Sequence, residues 1–311
     1  MVSSVCAVVV TYNRKTLLLD CLKALQEQTV PLDKVLIIDN ASSDGTIDYL
    51  NQSGILQDQR FILHCLKENL GGAGGFHEGI KIAFQEGYDY FFLMDDDGYP
   101  AKDCLERLLP YARPDLCLGS LVIDRKDGET LAFPIRLPQT KRLIKNKSDA
   151  LRTACEGVIE NVIIPFNGVL LANQSVKKYG LPRSEYFIWG DDMEYVWRLQ
   201  KEGVQIKTVL GAIFYHPRQD RLGTPMFFKH LHFNDSPSFL KLYCMSRNNT
   251  ANLLKYKGKI AFIVFVLKWL WFYSFTHPDI SKLLLGLKGM KAGLQGDFTG
   301  HHAFINKENS R

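Results

Sequence analysis

The first hundred residues alternate short β-branched apolar runs with segments whose apolar positions recur at helical spacing, and this alternation constrains the fold most. "VCAVVVTY" (5–12) leads into "RKTLLLDCLKALQEQ", where Leu18, Cys21, Leu22 and Leu25 share one helical face. "KVLIIDN", "FILHCLK" and "YDYFFLM" repeat the strand pattern, and "AGGFHEGIKIAFQEG" reads as a helix entered through glycines. Such alternation predicts a parallel α/β sheet with helices on both faces. Ligands then bind where strand C-terminal ends open into loops. Thr11, Asp39, Asn69 and Asp95 all fall at such ends.

Beyond residue 117 the pattern is less regular. "LCLGSLVID" and "ETLAFPI" are expected to pair as strands, and "QTKRLIKNKSD" (139–149) reads as a polar, basic loop. "VIIPFNGVLLAN" reads as a strand, and "GDDMEYVWRLQKEG" as a helix entered through acids and closed by Gly203. "VQIKTVLGAIFYHP" supplies one or two more strands. In the tail, "SFLKLYCMSRNNTANLLKYKGK" is expected to be helical, and "IAFIVFVLKWLWFYSF" (260–275) is an apolar run broken by Lys268. A bilayer-spanning helix needs roughly 20 apolar residues, so this run is short and charged. Trp269, Trp271 and Tyr273, preceded by Lys255, Lys257 and Lys259, suit a helix lying in a membrane interface. A core or dimer-interface helix fits the same run.

Composition narrows the setting. Seven cysteines, odd in number and without CxxC pairs, read as free thiols in a reducing, cytoplasmic compartment. The N-terminus shows no basic region of the secretory type. The net charge of +5 hides an asymmetry: residues 1–216 carry 24 Lys and Arg against 28 Asp and Glu, and residues 217–311 carry 14 against 5. The basic tail is interleaved with long apolar stretches, which favours an anionic membrane surface (255–291) or a homo-oligomer contact over nucleic acid.

Three acidic or glycine-rich stretches could carry chemistry. "LMDDDGYP" puts Asp95, Asp96 and Asp97 at a strand end, where like charges need compensation. Asp95 and Asp97, two apart, can present oxygens to one hard cation such as Mg²⁺ or Mn²⁺. Asp96 should point elsewhere in extended backbone, and Gly98 frees the turn. "NLGGAGGF" (69–76) offers close backbone approach at a helix start. His77 beside it is expected on the helix surface or in packing rather than as a ligand. "FIWGDDMEYVWR" sets Asp191, Asp192 and Glu194 at a helix start beside Trp189, as caps or with one acid as general base. "FYHP" places His216 at another strand end.

Taken together, "VVVTYNR", "IIDNASSDGT", "LMDDDG" and "WGDDMEY" resemble, in order and spacing, the inverting family 2 nucleotide-sugar glycosyltransferases. "NLGGAGGF" with the triple aspartate and the acid pair resembles their galactofuranosyltransferase-type branch. The resemblance covers residues 5 to about 217, and "GLKGMKAGLQGDFTG" is similar to the C-terminal helices of bacterial members. It implies a GT-A fold: a Rossmann-like mixed α/β sheet flanked by helices, with a C-terminal helical region. The implied division is a catalytic domain over 1–217, with a donor-binding half to about 100 and an acceptor-binding half beyond, then a helical region over 218–311.

The resemblance also implies roles. Thr11 and Tyr12, with Asn13 and Arg14 of the same motif, would lie at the nucleotide, and Asp39 at uracil or ribose. Asn69, Gly71 and Gly72 would line the donor pocket, with Asp96, Trp189 and Glu194 also binding substrate. Asp95, Asp97 and His216 would hold Mn²⁺ or Mg²⁺. Asp192 matches the catalytic base, with Asp191 its partner or substitute, because Gly190 separates Trp189 from the acids where galactofuranosyl relatives have them adjacent. The implied reaction moves galactofuranose from UDP-galactofuranose to a hydroxyl of a lipid-linked bacterial cell-surface glycan precursor, at the cytoplasmic face of the membrane. A rhamnosyl or other UDP- or dTDP-hexose donor is the near alternative. A non-catalytic glycan-binding or scaffold subunit is disfavoured, since every expected acid is present.

Overall fold

The computed structural model describes residues 3–138, 140, 142–218, 223–228 and 230–308, excepting the side chains of 306–308. The chain forms two compact units, Met1–Pro182 with Arg198–Arg218, and Arg183–Trp197 with Gln219–Arg311.

The first unit opens with β1 (Val5–Thr11), α1 (Lys15–Gln26), β2 (Lys34–Asp39), α2 (Thr46–Ser53), β3 (Phe61–Cys65), α3 (Gly71–Gln85) and β4 (Tyr90–Asp95). β5 (Tyr99–Pro100), α4 (Cys104–Leu108), β6 (Leu116–Asp124), β7 (Thr130–Arg136), β8 (Leu143–Asn146) and α5 (Lys147–Thr153) follow. β9 (Val158–Glu160), β10 (Asn167–Ala172), α6 (Asn173–Tyr179), α7 (Asp191–Lys201) and β11 (Gln205–His216) complete it, the division between units falling within α7. Among the described residues these strands make one eleven-stranded sheet with the path β3-β2-β1-β4-β10-β6-β11-β5. β3, β2, β1 and β4 are parallel, whereas β10 runs antiparallel to both β4 and β6. The sheet is therefore mixed. Every residue of β1 is buried, as expected of a central parallel strand covered on both faces.

The glycines of α3 are what let it lie on this sheet. A β-carbon at Gly79 would collide with Val8 and crowd Ile38, and one at Gly75 would meet Val10 Cγ1 at 2.5 Å. Gly98 likewise does not supply a left-handed turn. It leaves room for the Phe214 ring and the Tyr215 carbonyl of β11.

Elsewhere the local pattern was overridden. The expected loop at 139–149 forms β8 and the start of α5, while Gln139 and Lys141 lie outside the described residues. Ile144, fully buried among Leu121, Ile123, Leu131 and Ile135, anchors the strand, and Asn146 caps α5 by accepting from the Asp149 amide at 2.8 Å. The stretch read as one strand from Val162 begins only at Asn167, because Phe166 has a φ of 52°. β11 is one strand with an irregularity between Val209 and Ile213.

The second unit contains the hairpin β12 (Thr224–Met226) and β13 (Leu231–Phe233), then α8 (Phe239–Tyr256), α9 (Lys259–Trp271), α10 (Ile280–Gln295) and α11 (His302–Glu308). α10 packs on α8 through Gly289 and Gly293, where β-carbons would strike Ser246 and the Arg247 carbonyl, and Gly286 admits the Trp269 ring. By length and composition Lys259–Thr276 is long and apolar enough to cross a membrane.

Gly79→Ala tests the seating of α3. Better helix propensity would add about 1 kcal/mol, but overpacking against stiff, buried Val8 should cost about 1–3 kcal/mol. We expect a net fall in the urea midpoint, and a rise would show that α3 tolerates displacement from the sheet.

Candidate active site

In the first unit the ends of β1, β2 and β4 and the start of α3 are joined by polar contacts. Asp96 is 3% exposed and turned to β1, accepting a 2.6 Å bond from Thr11 Oγ1. Arg14 Nη1 reaches Asp96 Oδ1 at 3.2 Å and Asp97 Oδ2 at 2.7 Å. His216 Nε2, from the end of β11, meets Asp97 Oδ1 at 3.1 Å. Burial pushes the Asp96 carboxyl up, and Thr11 and Arg14 only partly offset it. Burial acts the same way on Asp97, but His216 and Arg14 together outweigh it and hold that carboxyl below its usual range. Asp95, half-buried, donates its amide to the Phe166 carbonyl at 3.2 Å.

The neighbouring loops are pinned as firmly. Asp39, 1% exposed, accepts from the Ser42 amide at 3.3 Å. Asn13, at a φ of 54°, accepts from the Ser43 amide at 2.7 Å, and its own amide donates to Ser42 Oγ at 2.9 Å. Asn69 Oδ1 accepts from the Gly71 amide at 2.8 Å, so the asparagine serves as a local cap for the glycine turn. Gly72 faces open space, and Tyr12 is half-buried. Asn40, which the motifs did not single out, is 2% exposed and holds this turn from both sides. It accepts from the Leu70 amide and donates to the Gly71 carbonyl, each at 2.8 Å. Its only sequence signal was a polar residue directly after a buried strand. His77 packs as expected, with Nδ1 2.8 Å from the Pro182 carbonyl.

Two carboxylates and an imidazole suit Mn²⁺ or Mg²⁺ by donor chemistry. Asp97 and His216 already converge, but Arg14 is seated on Asp96 and Asp97. Among the described residues no three His, Cys, Asp or Glu side chains group as a metal site.

The second acidic cluster belongs to the second unit. Asp191, Asp192 and Glu194 occupy the first turn of α7, where the helix dipole favours negative charge. The turn before them is left-handed at Phe187 (φ 64°), Trp189 (φ 73°) and Gly190 (φ 85°). Gly190 permits this conformation at little cost, which accounts for the glycine between tryptophan and acids. Buried donors from α8 hold the turn. Asn248 Nδ2 donates to the Tyr186, Ile188 and Trp189 carbonyls at 3.1, 3.1 and 2.7 Å. Asn252 Nδ2 donates to the Gly190 carbonyl at 2.8 Å, and its Oδ1 accepts from the Tyr186 hydroxyl at 2.7 Å. Arg247, fully buried, donates to the Tyr186 carbonyl at 2.9 Å. These residues were missed because "SRNNTAN" was read only as helical. Their signal is a run of polar side chains on an otherwise apolar helix.

Burial raises both Asp191 and Asp192, and the adjacent Asp192 raises Asp191 further. Asp192 Oδ1 accepts from the Met193 amide at 2.6 Å. Glu194 is fully buried and accepts from the Tyr256 hydroxyl at 2.6 Å, with Lys255 Nζ 3.5 Å away. A raised folded-state value means that Asp191 favours folding while protonated, and that this contribution is lost as pH rises through its folded-state value. Asp191→Asn should therefore melt progressively higher than wild type as pH is raised above about 4, with no gap below it. A pH-independent gap in thermal unfolding would refute the assignment.

The family model for glycosyl transferase family 2 matches residues 6–159. A galactofuranosyltransferase, GlfT1, of Mycobacterium tuberculosis H37Rv is 31% identical over 90% of this chain and 91% of its own. GlfT1 of Mycolicibacterium smegmatis is 31% identical over 68% of this chain and 70% of its own. The crystal structure of GalNAc-T7 with UDP, GalNAc and Mn²⁺ aligns with a TM-score of 0.60 at 13% identity, covering 97% of this chain and 58% of that one. That likeness shows the fold, a GT-A arrangement with a C-terminal helical region. With the motifs in order and one relative spanning 90% of its length, the chain belongs to glycosyl transferase family 2, is a glycosyltransferase, and is of the galactofuranosyltransferase-like kind.

Proposed function

We propose that this enzyme transfers galactofuranose from UDP-galactofuranose, with inversion, to a hydroxyl of a lipid-linked precursor of a bacterial cell-surface glycan. The observation that carries the chemistry is the adjacent pair at the start of α7, Asp191 buried and Asp192 half-buried, both raised by desolvation. A carboxylate raised by burial is a stronger base than one in water, which suits it to accept a hydroxyl proton. The likeness to two galactofuranosyltransferases supports the donor. Seven free cysteines, five of them buried, support a reducing, cytoplasmic setting.

In this reading residues 1–100 and 101–217 serve mainly donor and acceptor, with 218–311 as the helical region. Thr11, Tyr12, Asn13, Arg14, Asp39, Asn69, Gly71, Gly72 and Asp96 form the donor side. Trp189 and Glu194 serve substrate beside the acid pair. Asp192 takes the proton of the acceptor hydroxyl as that oxygen bonds to the anomeric carbon. The bond from that carbon to the diphosphate breaks on the opposite face, and the nucleotide leaves with the electron pair. Burial raises both acids and their adjacent charges oppose one another, so one acid of the pair stays protonated while the other accepts the proton. Asp97 and His216, with Asp95, would hold a divalent ion, which supplies charge neutralisation at the diphosphate. Arg14 then keeps Asp96 as its partner.

Asp192→Asn should reduce transfer by about 10³-fold or more while donor binding by calorimetry stays within a fewfold. Undiminished turnover would exclude Asp192 as the base. The acid limb of the wild-type pH–rate profile should lie above the ordinary carboxylate range of about 4. EDTA should stop transfer and Mn²⁺ or Mg²⁺ restore it, and full activity in EDTA would remove the metal role. A panel of UDP- and dTDP-sugars assayed with purified protein tests the donor.

A further inference from the structure

The solvent side of α9 is apolar. Ile260 (80% exposed), Ile263, Val264, Leu267, Trp271 and Phe275 (70%) recur every three or four residues along one face. α10 adds Ile280, Leu284, Leu287 and Leu294 at the same spacing. The tip of the β12–β13 hairpin adds Phe227 and Phe228, the latter 85% exposed. Its aromatics join those of α9: Phe227 lies 5.2 Å from Trp271, which lies 4.9 Å from Phe275. A soluble helix would show polar residues here, and contiguous apolar surface of this kind marks an interaction site.

Two observations indicate what covers it. Residues 255–295 contain seven lysines and one acid, Asp279, and Asp279 is engaged in capping α10 through the Lys282 amide at 2.9 Å. Lys255 in the last turn of α8, Lys257 just after it, Lys259 at the start of α9, and Lys288 and Lys291 on α10 are exposed. A second copy of this chain would face these cations with identical cations, whereas anionic headgroups complement them. The other face of α9 is occupied. Trp269, Phe272 and Tyr273 are buried with Phe233, Leu242, Met245 and Met290, so only 17% of Lys259–Thr276 is buried but that part is a packed core. A helix crossing a bilayer would give up that core, whereas one lying along the interface keeps it.

We propose that the exposed face of α9, with α10 and the β12–β13 tip, docks the enzyme in the plane of an anionic lipid bilayer without spanning it. Trp271, Phe228 and Phe275 enter the headgroup boundary, and the lysines meet lipid phosphates. The reading is independent of donor and of catalytic base. The test is flotation of the full-length protein with phosphatidylcholine vesicles, or with vesicles containing about one-third phosphatidylglycerol. Wild type should float with the anionic vesicles, and the binding should weaken in high salt. Phe228→Ser with Phe275→Ser should lose about tenfold or more of that binding, as should Lys259→Gln with Lys288→Gln and Lys291→Gln. Both sets are exposed, so thermal unfolding should be unchanged, and Ile263→Ser with Leu267→Ser is a second apolar pair. Equal flotation of wild type and both apolar pairs would overturn the proposal. So would a wild-type dimer by light scattering that shows no vesicle binding and is dissociated by the apolar substitutions. Resistance of vesicle-bound protein to alkaline carbonate would instead mean a spanning helix.

Discussion

Acid side chains held out of water set the main constraint on this protein, because an uncompensated buried carboxylate costs several kcal/mol. At the end of β4 the compensation comes from Thr11, Arg14 and His216. At the start of α7 it comes from helix amides and from neighbours such as Tyr256. Compensation is incomplete in both places, so Asp96, Asp191 and Asp192 are all raised. Incomplete compensation at a fixed geometry is also what leaves a carboxylate basic enough to take a proton.

Supporting groups make that geometry durable. Asn40 ties β2 to the glycine turn, and Asn13 joins the loops after β1 and β2. Arg247, Asn248 and Asn252 hold a left-handed turn that would otherwise leave carbonyls buried and unpaired. These side chains act as positioning residues, each with a polar atom spent on the backbone of a neighbouring loop or turn. Asn69 belongs with them in this respect, since its oxygen caps Gly71. The glycines that look like phosphate-binding elements are divided in their use. Gly75 and Gly79 serve packing on β1, whereas Gly72 opens to space.

Much of this was legible from residues alone. The strands through β4 and the helices α1 and α3 follow from period, because a buried parallel strand and an amphipathic helix differ in apolar spacing, whereas α2 was not expected. The acid clusters were recognisable because unpaired carboxylates after buried runs need explanation. Their wiring was not legible. Arg14 sits on Asp96 and Asp97, and that depends on β1 lying beside β4 with Val10 opposite Asp95. The run at 139–149 looked like a loop because a single isoleucine carries little periodicity, and only the cluster around Ile144 makes it a strand.

The sequence by itself therefore determined the α/β class, the order of strands up to β4 with α1 and α3 among them, and which acids deserve a chemical role. These rest on local period and on the electrostatics of near neighbours. Tertiary structure decided which partner each acid has, that α8 holds the turn before Asp191, and that the apolar run of α9 presents one face to a core and the other outward. Each of those depends on pairing between residues tens to hundreds of positions apart, and burial in three dimensions is not encoded by spacing along the chain.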